Sequence, residues 1–182
     1  MSSFVDALQA LTVAAAIARW ALMGYAAVHD ARTRTFPNAL AAVFLAACAG
    51  EAFLSAAVDP YLVTADAGAL SQGAFLPGEG FRALAQNGAR ALAACLALVG
   101  FEAGWRRARH ESGLGLGDVK FLFALMLTGP VPALASFVLG LAAMAVAGLA
   151  TGRRALPLLP FIVVSYAVVA LLRVAGLLAF EP

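Results

Sequence analysis

The sequence is poor in charge. Asp, Glu, Lys and Arg together make up 12% of its 182 residues, whereas 63% are apolar, and the mean hydropathy is +0.91. Soluble globular domains are usually about half apolar and about a quarter charged, so this composition predicts a polytopic membrane protein. The formal net charge is only +2 and the chain has no basic tail, which argues against a nucleic-acid partner.

Signatures of several other protein classes are missing. The two cysteines, Cys48 and Cys95, lie in apolar runs and form no CxxC pair, which excludes a disulfide framework and a zinc knuckle. His110-Glu111 begins like the zinc-protease motif HExxH, but position 114 is leucine, so we expect no metal site of that kind. The chain has no GxSxG, and its glycine run is not a GxGxxG after a strand, so we expect neither a serine hydrolase nor a dinucleotide cofactor.

Apolar runs long enough to cross a bilayer recur along the chain. A helix needs roughly 20 apolar residues to cross the hydrocarbon core. Because prolines end helices, we divide the long run 119–150 near Gly129, beside Pro130 and Pro132. The sequence therefore predicts an all-α fold, a bundle of about six transmembrane helices forming a single domain over residues 1–182. The predicted spans are about 7–27, 39–58, 84–105, 118–128, 131–150 and 156–179.

Basic residues gather in the loops that alternation of the spans puts on one side, at 29–37, 106–117 and 151–155. They are Arg32, Arg34, Arg106, Arg107, Arg109, Arg153 and Arg154. The other side receives an acidic loop at 59–80, rich in glycine and proline, together with both termini. The positive-inside rule then predicts that the basic loops are cytoplasmic and that both termini lie outside.

The stretch 113–120, GLGLGDVK, places Asp118 directly after a glycine-rich turn and directly before an apolar run. Ionisable groups within a membrane are costly, so such an acid is interpreted first as functional. The alternative is that Asp118 only caps a helix N-terminus, which would leave the glycines and Lys120 without a role. The fourth span would reach under about 20 Å, so Asp118 lies either in a water-filled recess or where the membrane is thin.

A second acid, Asp30, ends the first span, where the helix dipole disfavours negative charge. The alternative to a functional role is a solvated acid paired with Arg32 or Arg34. The alternation of spans, however, puts Asp30 and Asp118 on the same face of the membrane. Two neighbouring carboxylates share one proton, because both cannot be ionised at low cost. Such a pair provides a general base for water and a general acid for a departing amide.

Five other residues have candidate roles. Pro37 and Asn38 suit the first turn of the second helix. Lys120 either tunes the acidic pair or extends its amine to the membrane interface. Glu51 and Glu102 are candidate partners for a basic substrate, although each could equally pair with an arginine inside the bundle.

Three segments resemble motifs of the type IV prepilin peptidases, bacterial aspartic proteases of the GxGD class. Residues 115–120, GLGDVK, are similar to the GxGDxK segment of that family. Asp30, a few residues ahead of Pro37-Asn38, is similar to its first motif. Residues 157–161, PLLPF, are similar to its proline-rich PxxPF segment. The six-helix layout extends this resemblance over nearly the whole chain.

The resemblance implies that Asp30 and Asp118 are the catalytic residues of a membrane-embedded aspartic endopeptidase that needs neither metal nor cofactor. The residues expected to support them are Gly115, Gly117, Lys120, Pro37 and Asn38. The implied partners are the lipid bilayer and a prepilin or pseudopilin precursor, which loses its short basic leader at the cytoplasmic face of the inner (cytoplasmic) membrane.

The small size resembles the short enzymes of Flp-type (tight adherence) pilus systems. Longer family members carry an N-terminal domain with paired cysteines and also methylate the new terminus. This sequence has no counterpart of that domain, so we predict no methyltransfer.

Other functions fit the same residues. Archaeal preflagellin peptidases share the motifs. A small proton-coupled transporter or channel would use the two aspartates as a relay, and an inactive scaffold of a secretion assembly is a third alternative. The sequence leaves open whether the chain forms a homodimer.

Overall fold

The chain is helical from end to end of its described segments. The computed structural model describes residues 2–65, 77–110, 114–152 and 156–178. Within them six helices follow one another, and no strand is found. The helices are α1 (Ser2–Thr33), α2 (Asn38–Ala65), α3 (Pro77–Arg109), α4 (Leu116–Thr128), α5 (Pro130–Thr151) and α6 (Leu159–Val174). The predicted all-α class is thus confirmed.

Four of the helices are long and apolar enough to cross a membrane. Their qualifying segments are Ala7–Thr33, Asn38–Ala57, Pro77–Ala108 and Pro130–Thr151. Large apolar side chains such as Ile17, Leu96 and Val146 point away from the bundle and are more than half exposed. An apolar outer surface of this kind is expected where lipid, rather than water, is the solvent.

Helix α4 is the centre of the bundle, with α2, α3 and α5 packed around it. Its residues Phe121, Leu122, Leu125 and Met126 are at most 1% exposed. A helix that is apolar on all sides is stable only when it is surrounded. Because α4 has only 13 residues, it spans about 20 Å, less than the hydrocarbon core.

Several helices extend into the predicted loops, and one is shorter than its predicted span. The predicted loop 59–80 is too long, because α2 continues to Ala65 and α3 begins at Pro77, while 66–76 lie outside the described residues. Helix α1 continues to Thr33 and α3 to Arg109, into the predicted loops 29–37 and 106–117. Hydropathy indicates only which residues suit a lipid environment, whereas the backbone hydrogen bonds of a helix can continue beyond them into polar residues.

The last predicted span, 156–179, is too long at both ends. Helix α6 begins at Leu159 and ends at Val174. Its end is set by Gly176, whose φ of 71° is left-handed, with the Leu177 amide donating to the Leu172 carbonyl. This is the Schellman arrangement, which stops a helix irrespective of hydropathy. The predicted division near Gly129 is confirmed, since α4 ends at Thr128 and α5 begins at Pro130.

The six helices alternate in direction, so that their ends form two groups. At one end the Leu159 amide meets the Asp30 carboxylate and the Lys120 amine meets the Asn38 side chain. We call this the aspartate end, because it also holds Asp118. At the opposite end the Asn87 side-chain amide donates to the Leu127 carbonyl, at 3.0 Å.

A buried ion pair joins α1 to α2 between these two ends. The Arg19 Nε donates to Glu51 Oε2 at 2.5 Å, and the Arg19 guanidinium also lies over the rings of Trp20 and Tyr166, about 5 Å from each centroid. Arg19 is only 6% exposed. The charge of each partner is therefore compensated inside the bundle, and the guanidinium connects α1, α2 and α6.

Removing one member of this pair should destabilise the bundle. Glu51→Gln leaves the Arg19 guanidinium buried without its counter-charge, so we expect a loss of about 3–5 kcal/mol in the free energy of unfolding. Unfolding in detergent measures it. The double variant Arg19→Met/Glu51→Met, which removes both charges, should lose less than Glu51→Gln. An equal loss for Glu79→Gln, whose carboxylate pairs with Arg82 at an exposed site, would contradict this role.

Candidate active site

Asp30 lies in the last turn of α1 and is only 7% exposed. Its Oδ2 accepts a hydrogen bond of 3.3 Å from the backbone amide of Leu159, the first residue of α6. The positive end of the α6 dipole thus faces a carboxylate that the dipole of its own helix disfavours. Among the described residues no ion pair joins Asp30 to Arg32 or Arg34, contrary to the alternative considered from sequence.

The prolines of the PLLPF segment explain why this amide is free. The first amides of a helix have no partner within the helix, and Pro157 and Pro160 have no amide hydrogen at all. The amides of Phe161 and Ile162 already donate to the Leu158 carbonyl. Leu159 therefore supplies the free donor at the start of α6.

Asp118 is held in a similar way at the start of α4. Helix α4 begins at Leu116, so Gly115 is its N-cap and Asp118 is its third residue. Asp118 Oδ2 accepts a hydrogen bond of 3.2 Å from the Gly115 amide. The interpretation of Asp118 as the N-cap residue is therefore wrong in position, although the carboxylate does satisfy an orphan amide, as the third residue of a capping box does.

The two carboxyl groups face the same part of the aspartate end. They lie close enough for the Asp30 charge to act on Asp118. Both are removed from water, Asp30 fully and Asp118 in large part. Among the described residues neither carboxylate is in an ion pair. Each carboxyl group thus has a backbone amide as its hydrogen-bond partner, and the two acids interact electrostatically at this end of the bundle.

Gly117 allows the connection between α1 and α2 to approach α4. A Cβ atom at this position would lie 2.9 Å from the Phe36 Cβ. The Phe36 ring packs edge-on against Phe121, which in turn stacks on Phe44 with ring centroids 4.7 Å apart. The glycine is required for close packing, and this packing holds the segment after Asp30 against the helix that carries Asp118.

Lys120 and Asn38 form a second bridge across this junction. The Lys120 amine donates to the Asn38 side-chain oxygen at 2.7 Å. Asn38 is the first residue of α2, and the Ala41 amide donates to the Pro37 carbonyl, so the predicted Pro-Asn helix start is confirmed. Lys120 therefore ties α4 to α2, and its predicted roles at the acidic pair or at the membrane interface stay predictions.

A cavity of about 360 Å³ opens beside this bridge, between α2, α3 and α4. Asn38 and Lys120 provide its polar edge. Its remaining lining consists of Ala41, Ala42, Leu45, Cys95, Val119 and Phe123. Neither Asp30 nor Asp118 lines this cavity, but Val119 and Lys120 place it beside the first turns of the helix that carries Asp118.

The two glutamates predicted to contact a substrate have partners inside the protein. Glu51 pairs with Arg19, away from the aspartate end. Glu102 pairs with Arg106 at 2.6 Å, and its other oxygen accepts the Leu114 amide at 2.8 Å. The alternative of an intramolecular arginine partner therefore describes both residues, and Glu102 fixes the segment that leads into α4.

Sequence reasoning missed the Leu159 amide and the Phe36 contact. The signal for the amide was present, since two prolines flank a pair of leucines at a helix start and leave few donors there. The Phe36 contact had no comparable signal, because a glycine in a sequence does not reveal which side chain approaches it.

Gly117→Ala should lower stability, because the new methyl group and Phe36 cannot occupy their present positions together. Overpacking of this kind costs about 1–3 kcal/mol, measurable as a lower unfolding midpoint in detergent. Gly104→Ala is the matched control, because a Cβ there has open space and alanine is the better helix former. A Gly117→Ala variant as stable as Gly104→Ala would refute the close contact.

Comparisons of the chain with family models, with curated proteins and with solved structures gave no match.

Proposed function

We propose that this chain is a membrane-embedded aspartic endopeptidase that removes the short basic leader of type IV, Flp-like prepilins. The observation that carries the proposal is the meeting of Asp30 and Asp118 at one end of the bundle, each held by a backbone amide and neither paired with a cation. Four membrane-length apolar helices around this pair agree with a lipid environment. The resemblance of both acids' flanking segments to the prepilin peptidases supplies the substrate class.

The reaction needs one ionised and one protonated carboxyl group. The ionised carboxylate takes a proton from water while the water oxygen bonds to the scissile carbonyl carbon. The protonated carboxyl then gives its proton to the amide nitrogen as the carbon–nitrogen bond breaks. The pair thus ends the cycle with one proton again, and neither a metal nor a cofactor takes part.

The proposed topology has six spans, with both termini outside and the aspartate end in the cytoplasm of a bacterial inner membrane. The seven arginines of the predicted basic loops support this orientation, since alternation of the helices assigns all of them to the aspartate end; Arg153 and Arg154 among them lie outside the described residues. The shortness of α4 supports a recess, because a helix of 13 residues leaves its N-terminus below one surface or its C-terminus below the other.

The cavity beside Lys120 suits an apolar residue of the precursor next to the scissile bond. Its lining is mainly aliphatic and aromatic, and its volume of about 360 Å³ exceeds that of a single large side chain. In the proposed complex a peptide lies across the aspartate end with one apolar residue in this cavity.

Cleavage should depend on both aspartates. Asp30→Asn and Asp118→Asn each remove an ionisable group that the reaction requires, so we expect precursor processing to fall by at least 10³-fold, as when one partner of a catalytic unit is removed. Co-expression with an Flp-type prepilin and electrophoresis of the product measure it. Glu79→Gln is the control, because this acid is exposed and lies at the opposite end.

Full processing by either Asn variant would rule out the aspartic mechanism. The transporter alternative makes a different prediction in the same cells. It requires proton-coupled flux that both substitutions abolish, with no peptide product from the unsubstituted chain.

Filling the cavity should slow cleavage without unfolding the protein. Ala42→Trp puts an indole into the space next to Val119 and Lys120, so we expect a several-fold lower cleavage rate, mainly through a higher KM. Ala46→Trp, one turn further along α2 and exposed, is the matched control. Equal rates for the two variants in a detergent assay would show that substrate does not use this cavity.

A further inference from the structure

A second cavity, of about 780 Å³, lies at the end opposite the aspartates. Side chains of α2 and α3 line it on one side, including Ser55 and Arg90. The turn between α4 and α5 closes its base, and Arg173 in the last turn of α6 completes the wall. Nothing in the proposed proteolysis uses this cavity.

The short length of α4 creates the space. Helix α4 ends at Thr128, and the Asn87 side chain fixes its last turn by donating to the Leu127 carbonyl. Helices α2 and α3 continue past this level, because both are at least 28 residues long. Their side chains therefore face a gap where a full-length α4 would have packed.

The described charged side chains that line this gap are all cationic, namely those of Arg90 and Arg173, and none of the described lining residues is acidic. The N-terminus of α5, from Gly129 to Pro132, adds the positive end of a helix dipole. Among the described side chains, neither guanidinium has an ion pair or a hydrogen bond.

The polar groups beside the arginines do not offset this charge. The hydroxyl groups of Ser55 and Thr128 donate to carbonyls of their own helices, at 2.7 and 2.8 Å. Both arginines are exposed, so their guanidinium groups are accessible to an anion that enters the cavity from outside the described residues.

We propose that the cavity binds the phosphate headgroup of an anionic phospholipid. Guanidinium groups bind phosphate oxygens in pairs, and two arginines on different helices can hold the headgroup from opposite sides. The lining also contains apolar residues, among them Ala56, Val131 and Leu134, which suit the glycerol and the first methylenes of a lipid better than a free ion. The inference rests on the membrane placement of the bundle and is independent of proteolysis.

Native mass spectrometry of the full chain in detergent tests this site, with phosphatidylglycerol and phosphatidylcholine added at equal concentrations. We expect phosphatidylglycerol to bind preferentially. Arg90→Gln and Arg173→Gln should each lower its affinity about fivefold, and the double variant about 25-fold, because each arginine near a lipid headgroup contributes a similar electrostatic share. Arg90→Lys keeps the charge without the paired hydrogen bonds and should fall between.

Arg82→Gln is the matched control, because Arg82 lies near the same end but does not line the cavity and pairs with Glu79. Its affinity for phosphatidylglycerol should equal that of the unsubstituted chain. Equal binding of the two lipids, or unchanged binding by Arg90→Gln and Arg173→Gln, would overturn the proposal. Displacement of the lipid by inorganic phosphate at the same concentration would assign the cavity to a free anion and would also overturn it.

Discussion

The rest of the structure depends on a central helix that is too short for its surroundings. Helix α4 has 13 residues and spans about 20 Å, whereas a hydrocarbon core is about 30 Å thick. Burial on all sides holds α4 in place, since its middle residues from Phe121 to Met126 form the core of the bundle. The missing length appears as space at its two ends. One end has the acidic pair with its apolar cavity, and the other has the arginine-lined cavity.

Hydrogen bonds from backbone amides offset part of the free-energy cost of placing the two aspartates where they are. Asp30 lies at the unfavourable end of α1, but the first amide of α6 donates to it, and the Gly115 amide does the same for Asp118. A hydrogen bond to a charged acceptor stabilises by about 1.5–3 kcal/mol, enough to offset a good part of a partial burial. These donors belong to the backbone of helix starts, so they cannot move away or titrate.

Local chemistry predicted much of this structure, and tertiary contact explains the remainder. The division at Gly129 and the start of α2 at Asn38 followed from proline, which acts through its own ring and its missing amide hydrogen. The end of α6 was misjudged, because the Schellman turn at Gly176 stops a helix within a run that hydropathy treats as continuous. The partner of Glu51 was predicted only as some arginine, since which arginine reaches it depends on how α1 packs against α2.

The sequence alone singles out Asp30 and Asp118, because an acid at the end of an apolar span is costly. It does not reveal the long-range contacts that fix their positions. Asp30 and Leu159 are separated by 129 positions in the chain, and only the packing of α6 against α1 brings them together. The contact between Gly117 and Phe36 is also a tertiary one. The types and spacing of side chains indicate where chemistry is expected, and the donor to Asp118 lies in the same segment, whereas the donor to Asp30 comes from another helix.

The buried and half-buried acids of the bundle divide by the kind of partner they have. Glu51 and Glu102 each accept a hydrogen bond from an arginine, so that their charge is compensated and they join the segments that carry the two partners. Asp30 and Asp118 accept hydrogen bonds from backbone amides, which carry no net charge, and the charge of Asp30 also acts on Asp118. The fold thus gives the arginine-paired acids a structural task and places the two acids that lack an arginine at the aspartate end, beside the start of the shortest of the six described helices.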